Sequence, residues 1–271
     1  MDKKVYNTGE TEEELKSNYN YEGSNLRKAQ DRMLELLVFL DKVCTENDID
    51  YFIGYGTLLG AVRHGGFIPW DDDTDVVMSP EGLKKFRKIV NSGKYDYVVQ
   101  DHSIDKGFVR HYNVLRDLNS CYVKDEFIHN QRKYKGVQVD LFPWGFGVKK
   151  KPRAFIKRLQ VINEWHALGK HPIISSMIYG ISKYFFIPIF KFFSLFSSKE
   201  YLYLGYENEW DLKYKYDDIF PLGRIEFEGY QFKCPHNPEG MLLVDYGSNY
   251  NDLPPKEERN HHSVDTIEFY K

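Results

Sequence analysis

Residues 54–77 read GYGTLLGAVRHGGFIPWDDDTDVV, a glycine-spaced half followed by Asp71, Asp72, Asp73 and Asp75. Four carboxylates that close repel one another and would partly protonate unless a cation neutralises them, so a functional reading of the acidic half requires a metal. Two well-known templates fail here. Gly54, Gly56 and Gly60 give GxGxxxG, one residue longer than the dinucleotide fingerprint, and no acidic residue closes a second parallel strand at the expected distance. Asp71, Asp73 and Asp75 match the first ligand positions of a calcium loop, but Val76 stands where its turn needs glycine and Gly82 where its bidentate glutamate belongs. The two halves fit together as one site instead. Gly56 and Thr57, at the end of a strand, offer backbone amides to a phosphate. Asp73 and Asp75 lead the next strand with both carboxylates on one face, because strand residues i and i+2 point the same way.

Working outward, residues 25–47 carry Leu26, Met33, Leu37, Leu40 and Cys44 at helical spacing, an amphipathic helix. Residues 49–54 read as a strand ending at glycine, Asp75 to Met78 as a second, and 81–91 as a helix with Ser79 or Pro80 at its start. Further strands are expected over 95–100, 108–115, 120–124 and 136–142, the last ending in PWGFG. This alternation predicts an α+β protein, a mixed sheet core with flanking helices. The strand VQVDLF over 137–142 places the lone carboxylate of Asp140 among apolar neighbours, which is costly unless it is paired or ligating. Asp140 is the natural third ligand; a buried structural ion pair is the rival reading. One of Asp71 and Asp72 can simply cap or solvate the turn.

A chain of 271 residues with a formal net charge of -3 gives no global reason to expect nucleic acid as a partner. Cys44, Cys121 and Cys234 are widely spaced without a CxxC pair, which argues against a disulfide framework or zinc site and fits a reducing compartment. The start has no apolar run after its charges, so a cytoplasmic location is expected. Three parts are predicted: a catalytic core over 1–150, a helical insertion over 151–215, and a C-terminal segment over 216–271 that returns to the active site. Within the insertion, 172–198 is the most apolar stretch; Lys183 and Lys191 divide it and Pro188 is expected to break its helix, which argues against a membrane span. It reads either as a buried helical hairpin or as an interfacial segment making peripheral contact with the inner face of the plasma membrane.

The stretch YGTLLGAVRHGGFIPWDDDTDV closely resembles the signature of the LicD family of phosphocholine transferases, relatives of the fukutin-type ribitol-phosphate transferases. The likeness extends to VDLFPW at 139–144 and, more weakly, to the tail VDYGSNYNDLPPKEERNHH. The resemblance implies a nucleotidyltransferase-like fold, a divalent metal, a cytidine-diphosphate-linked donor such as CDP-choline, and Asp73, Asp75 and Asp140 as the metal carboxylates. It alone raises His261 and His262 above ordinary tail residues.

Moving a phosphoryl group from a pyrophosphate to an alcohol requires neutralisation of the transferring phosphate and an in-line hydroxyl, which two Mg2+ or Mn2+ ions supply. Asp73 and Asp75 are assigned to bridge the ions, and Asp140 to the ion that activates the acceptor hydroxyl or to the base itself. Gly56 and Thr57 then hold donor phosphate. Arg63 and His64 bind phosphate or the leaving cytidine monophosphate, the rival being satisfied loop groups. Arg116 reads equally as a phosphate ligand or an exposed strand end. Trp70 and Trp144, each beside a metal carboxylate, either contact choline or pack the two loops. The expected reaction transfers phosphocholine to a hydroxyl of a glycan acceptor on a lipid carrier, such as a lipopolysaccharide or teichoic acid precursor. The alternatives are another alditol- or sugar-phosphate donor, or a non-catalytic binding protein.

Overall fold

The computed structural model describes residues 4–123, 133–147, 150–169, 171–205, 212–259 and 266–270. Helix α1 (Glu12–Tyr19) opens with a capping box in which Thr11 and Glu14 satisfy each other's backbone amides. Helix α2 (Asn25–Glu46) starts at Ser24, whose hydroxyl accepts from the Arg27 amide, and buries Met33, Leu36, Leu37, Leu40 and Val43 on one face. Strand β1 (Tyr51–Ile53) follows, then α3 (Tyr55–His64), β2 (Asp75–Met78) and α4 (Pro80–Val90), the last capped by Ser79. Strands β3 (Tyr97–Gln100), β4 (Asn113–Asp117), β5 (Ser120–Val123) and β6 (Gln138–Phe146) complete the first half.

The central sheet has the order β1-β2-β6-β4-β3. Strands β2 and β6 run parallel, with Asp75 opposite Asp140 and Val77 opposite Phe142, while β1–β2, β4–β6 and β3–β4 are antiparallel. The α+β expectation holds. Val76, Val77, Val139 and Leu141 are buried between the sheet and the helices that cover it.

The second half begins with helix α5 (Lys150–Leu168) and helix α6 (Pro172–Ser194). Strands β7 (Tyr201–Leu204) and β8 (Tyr214–Lys215) extend the sheet, β7 pairing with the far half of β6. A short helix α7 (Tyr216–Ile219), the hairpin of β9 (Gly223–Phe227) and β10 (Tyr230–Cys234), helix α8 (Pro238–Tyr246), and β11 (Thr266–Phe269), which pairs with β5, finish the chain.

Four local expectations are corrected. Gly56 and Thr57 lie in the first turn of α3, not in a strand-end loop. The apolar run over 108–115 becomes a strand only from Asn113; the Phe108 amide donates to Asp105 O within the preceding turn instead of to a ladder (3.0 Å). Strand β6 does not stop at Phe142 but continues through Pro143, the point at which it exchanges β4 for β7 as neighbour, so the missing amide interrupts no continuous ladder. Pro188 does not break α6. A π-helical turn over Ser182–Phe186 precedes it, with the Ile187 amide donating to Ser182 O, and this widening accommodates a ring that would otherwise clash with the preceding turn. The resulting helix of 23 residues is long and apolar enough by composition to cross a bilayer.

Candidate active site

A cavity of about 970 Å3 opens at the end of β2 and β6, and Asp71, Asp73, Asp75 and Asp140 line it together. Asp71, Asp75 and Asp140 are each held by a nameable local contact. The Gly54 amide donates to Asp75 O (3.1 Å) and the Asp75 amide donates to Thr57 Oγ1 (2.8 Å), which clips the start of α3 to the start of β2. The Asp140 amide donates to Thr74 O (2.8 Å), and Gln138 Nε2 donates to Asp140 Oδ1 (2.9 Å). Helix α2 holds the acidic turn from below through Gln30, whose Nε2 donates to Asp71 O (2.8 Å) and whose Oε1 accepts from Asn20 (2.7 Å).

The turn separates its first two aspartates. Asp72 is fully buried and takes the Tyr122 hydroxyl on both its backbone O (3.0 Å) and its Oδ2 (3.2 Å). Asp71 faces the cavity instead, with its Oδ2 so close to Gly56 that a Cβ there would stand 2.9 Å from it. Carboxylate oxygens of Asp71, Asp72 and Asp73 lie within 4.8 Å of one another. Among the described residues lining the cavity there is no histidine or cysteine, and an all-oxygen donor set suits hard divalent cations such as Mg2+ or Mn2+.

Thr57 is buried and spends its hydroxyl on Asp75, so of Gly56 and Thr57 it is Gly56 that reaches the cavity. Arg63 lines the cavity, yet its Nη1 donates to Tyr250 O and Asp252 O (3.1 Å each) and its Nε to His64 Nε2 (2.9 Å). Burial lowers the Arg63 pKa from its usual value. His64 accepts at Nε2, which leaves the Nδ1 hydrogen for Glu12 (2.7 Å), and burial lowers its pKa as well. It is a neutral link between α3 and the N-terminal segment, away from the cavity lining. Arg116 donates to Gln100 Oε1 and Gly136 O (2.9 Å each), bracing β4 outside the cavity. Trp144 packs on Phe146 and Phe220. Trp70 does line the cavity, with the guanidinium of Arg259 5.0 Å and that of Arg63 6.0 Å from its ring centroid. His261 and His262 lie outside the described residues.

Sequence reasoning missed several lining groups. Arg110 and Lys157 bring positive charge, the former bonded to Glu164 (2.9 Å) and donating to the Tyr112 hydroxyl (2.7 Å). Tyr55, Tyr112 and Phe142 form an aromatic wall, with Phe142 centred 5.5 Å from Tyr55 and 4.7 Å from Tyr112. Phe142 shares a face of β6 with Asp140 by the two-residue period, the one signal that could have found it. Tyr55 adopts a positive φ of 47°, a strained position for a side chain of this size, worth about 1–3 kcal/mol.

The opposite wall comes from both ends of the chain. Asn7 exchanges two bonds with the Leu253 backbone (2.8 and 3.2 Å), and Arg259 grips Glu10 (2.6 Å), Pro254 O (3.0 Å) and the Tyr19 hydroxyl (3.2 Å). Arg259 beside Glu10 holds that carboxyl down to about 2.

Residues 48–166, which contain all four lining aspartates, match the family described as LicD/FKTN/FKRP, nucleotidyltransferase domain. This segment is a LicD-family domain. The LicD domain begins just before β1 and ends within α5, so the wall built by residues 249–259 lies beyond it. Over 259 residues the chain is 25% identical to the lipopolysaccharide cholinephosphotransferase LicD of Haemophilus influenzae, covering 88% of this chain and 96% of that protein. It is 43% identical over 150 residues to an uncharacterized protein of Rickettsia typhi and 31% identical over 110 residues to one of Rickettsia prowazekii. The chain spans 41% and 37% of the length of those two relatives.

Proposed function

We propose that this cavity transfers phosphocholine from CDP-choline to a hydroxyl of a cell-surface glycan of the lipopolysaccharide or teichoic acid type, carried as a lipid-linked precursor at the cytoplasmic face of the membrane. The observation that carries this reading is the convergence of Asp71, Asp73, Asp75 and Asp140 on one cavity within a LicD domain. Asp73, Asp75 and Asp140 would hold the two Mg2+ or Mn2+ ions, and Asp71, held against Gly56, completes the acidic rim. Bound ions would neutralise the pyrophosphate and lower the pKa of the acceptor hydroxyl. Without them the acidic rim would repel the two negative charges of the donor's pyrophosphate.

In the reaction, the bond from the phosphocholine phosphorus to the bridging oxygen breaks, the acceptor oxygen forms the new bond, and cytidine monophosphate leaves with the electron pair. Asp140 takes the acceptor proton. Arg110 and Lys157 face the same space and suit the departing phosphate. Tyr55, Tyr112 and Phe142 offer ring faces for the trimethylammonium, in place of Trp144, which packs elsewhere, and Trp70, whose ring already carries two guanidinium groups. The test is incubation with Mg2+ and a panel of cytidine-diphosphate donors, following cytidine monophosphate release. Release from CDP-choline on addition of a glycan acceptor supports the reading; release from CDP-ribitol or CDP-glycerol alone would overturn the choline assignment.

A further inference from the structure

Helices α5 and α6 pack on one another with their polarity reversed relative to a hairpin in water. The buried positions include Arg153, Gln160, Asn163, Ser175 and Ser182, each no more than 2% exposed. The exposed positions include Trp165 (67%), Met177 (60%), Tyr184 (77%), Phe192 (57%), Phe193 (65%) and, just past α6, Phe196 (78%). Polar side chains buried on the inner faces beside Ile156, Tyr179 and Ile187, with large apolar ones outside, are the pattern of helices that face lipid. The reversal is local. Outside this hairpin the core of the sheet domain is apolar in the ordinary sense.

Charge singles out the kind of surface. Between residues 150 and 199 there are nine lysines and arginines against one glutamate, Glu164, although the whole chain has a net charge of -3. That glutamate is engaged by Arg110. Lys151, Arg158 and Lys199 are exposed, and Lys183 and Lys191 are half-buried. Basic residues flanking exposed aromatics match an anionic headgroup layer over acyl chains.

The hairpin is also tied to the cavity. Arg110 bonds Glu164 of α5, Lys157 of α5 lines the cavity, and Tyr179 of α6 stacks on His102 (3.9 Å) and His111 (5.2 Å) of the sheet domain. We infer that the outer face of α5 and α6 docks on an anionic lipid bilayer, lying in one leaflet and holding the cavity at the membrane surface. This surface stands on its own observations and persists if the proposed reaction is wrong.

The experiment uses the whole protein with no donor or metal, mixed with phosphatidylglycerol–phosphatidylcholine vesicles or with pure phosphatidylcholine vesicles. The protein should float with the phosphatidylglycerol vesicles, bind less as salt rises, and show Trp165 emission quenched by brominated acyl chains, with that quenching gone in Trp165→Phe. Phe192→Ser with Phe196→Ser should lower partitioning about a hundredfold, and Arg158→Glu with Lys199→Glu, both exposed, should lower it as well. Thermal melts of the Phe pair should match the parent, because both side chains are more than half exposed. Failure to bind either vesicle overturns the inference. So does a dimer in sedimentation velocity that the Phe substitutions dissolve while vesicle binding is absent, which would make a second copy the occupant.

Discussion

Asp75 and Asp140 stand in register on the parallel strands β2 and β6, with their side chains on the same face at the mouth of the cavity. In-register neighbours are roughly 5 Å apart, close enough for one ion to bridge two carboxylates and for the bare pair to repel. Asp75→Asn and Asp140→Asn should therefore each cut turnover by about a thousandfold or more and weaken metal binding measured by calorimetry. Metal-free stability should be unchanged or higher by up to about 1 kcal/mol. If Asp140→Asn retains near-normal cytidine monophosphate release, the third ligand lies elsewhere in the acidic rim.

Asp71 and Asp72 should separate by experiment. Asp72→Ala removes one of the two acceptors of the buried Tyr122 hydroxyl and leaves it the backbone O of residue 72, so it should lower stability in urea by about 0.5–1.5 kcal/mol. Gly56→Ala should act through the other aspartate: its methyl group displaces the Asp71 carboxylate and should weaken metal affinity roughly tenfold with little change in the urea midpoint. An unchanged metal affinity in Gly56→Ala would remove Asp71 from the site.

For Arg63, stability and donor affinity give opposite answers. Its guanidinium is buried and spent on two backbone carbonyls and His64, so Arg63→Met should cost about 2–4 kcal/mol and loosen the wall at Tyr250. A substitution that left stability intact and raised only the KM for donor would instead make Arg63 a phosphate ligand.

Burial pushes the Asp245 carboxyl up to about 7, with only a partial counterweight from the Tyr214 hydroxyl that donates to it. Because the folded-state value is raised, this group favours folding below about pH 4, where both states are protonated, and that advantage is lost as pH rises towards 7. Stability should fall across that window by up to a few kcal/mol, and Asp245→Asn should flatten the slope in urea titrations at a series of pH values. A slope unchanged by the substitution would assign it to other groups.

Aromatic selectivity gives a further check. Tyr112→Leu and Phe142→Leu should raise the KM for CDP-choline while leaving donors without a quaternary ammonium nearly unaffected, since ring faces attract the desolvated cation. Equal losses for all donors would mean that these rings only pack.

Much of this site can be read along the chain where a short period governs it. The two-residue period of strands puts Asp75 and Asp140 on usable faces, and the helical period marks α2. Arg63 shows where such reading ends: its acceptors are carbonyls of residues 250 and 252, and a backbone acceptor carries no residue signature. Gly56 and Thr57 resemble a phosphate loop because glycine opens both loops and tight helix starts; the bond from the Asp75 amide to Thr57 decides between them. Pro188 breaks a helix by local rule, and only the π-turn ahead of it permits continuation. The polarity of α5 and α6 is equally hidden, since periodicity finds a face without saying which way it points.

The pairing of Asn7 with Leu253 and of Glu10 with Arg259 sets a timetable for the nascent chain. The strands that carry the aspartates have all been synthesised once β7 has emerged from the ribosome, but one wall of the cavity needs partners separated by 249 residues along the chain. Contacts that distant form last. During synthesis the acidic edge would therefore exist, open and unselective, before the pocket that confines a substrate, and enzymatic competence would arrive only as residue 259 clears the exit tunnel.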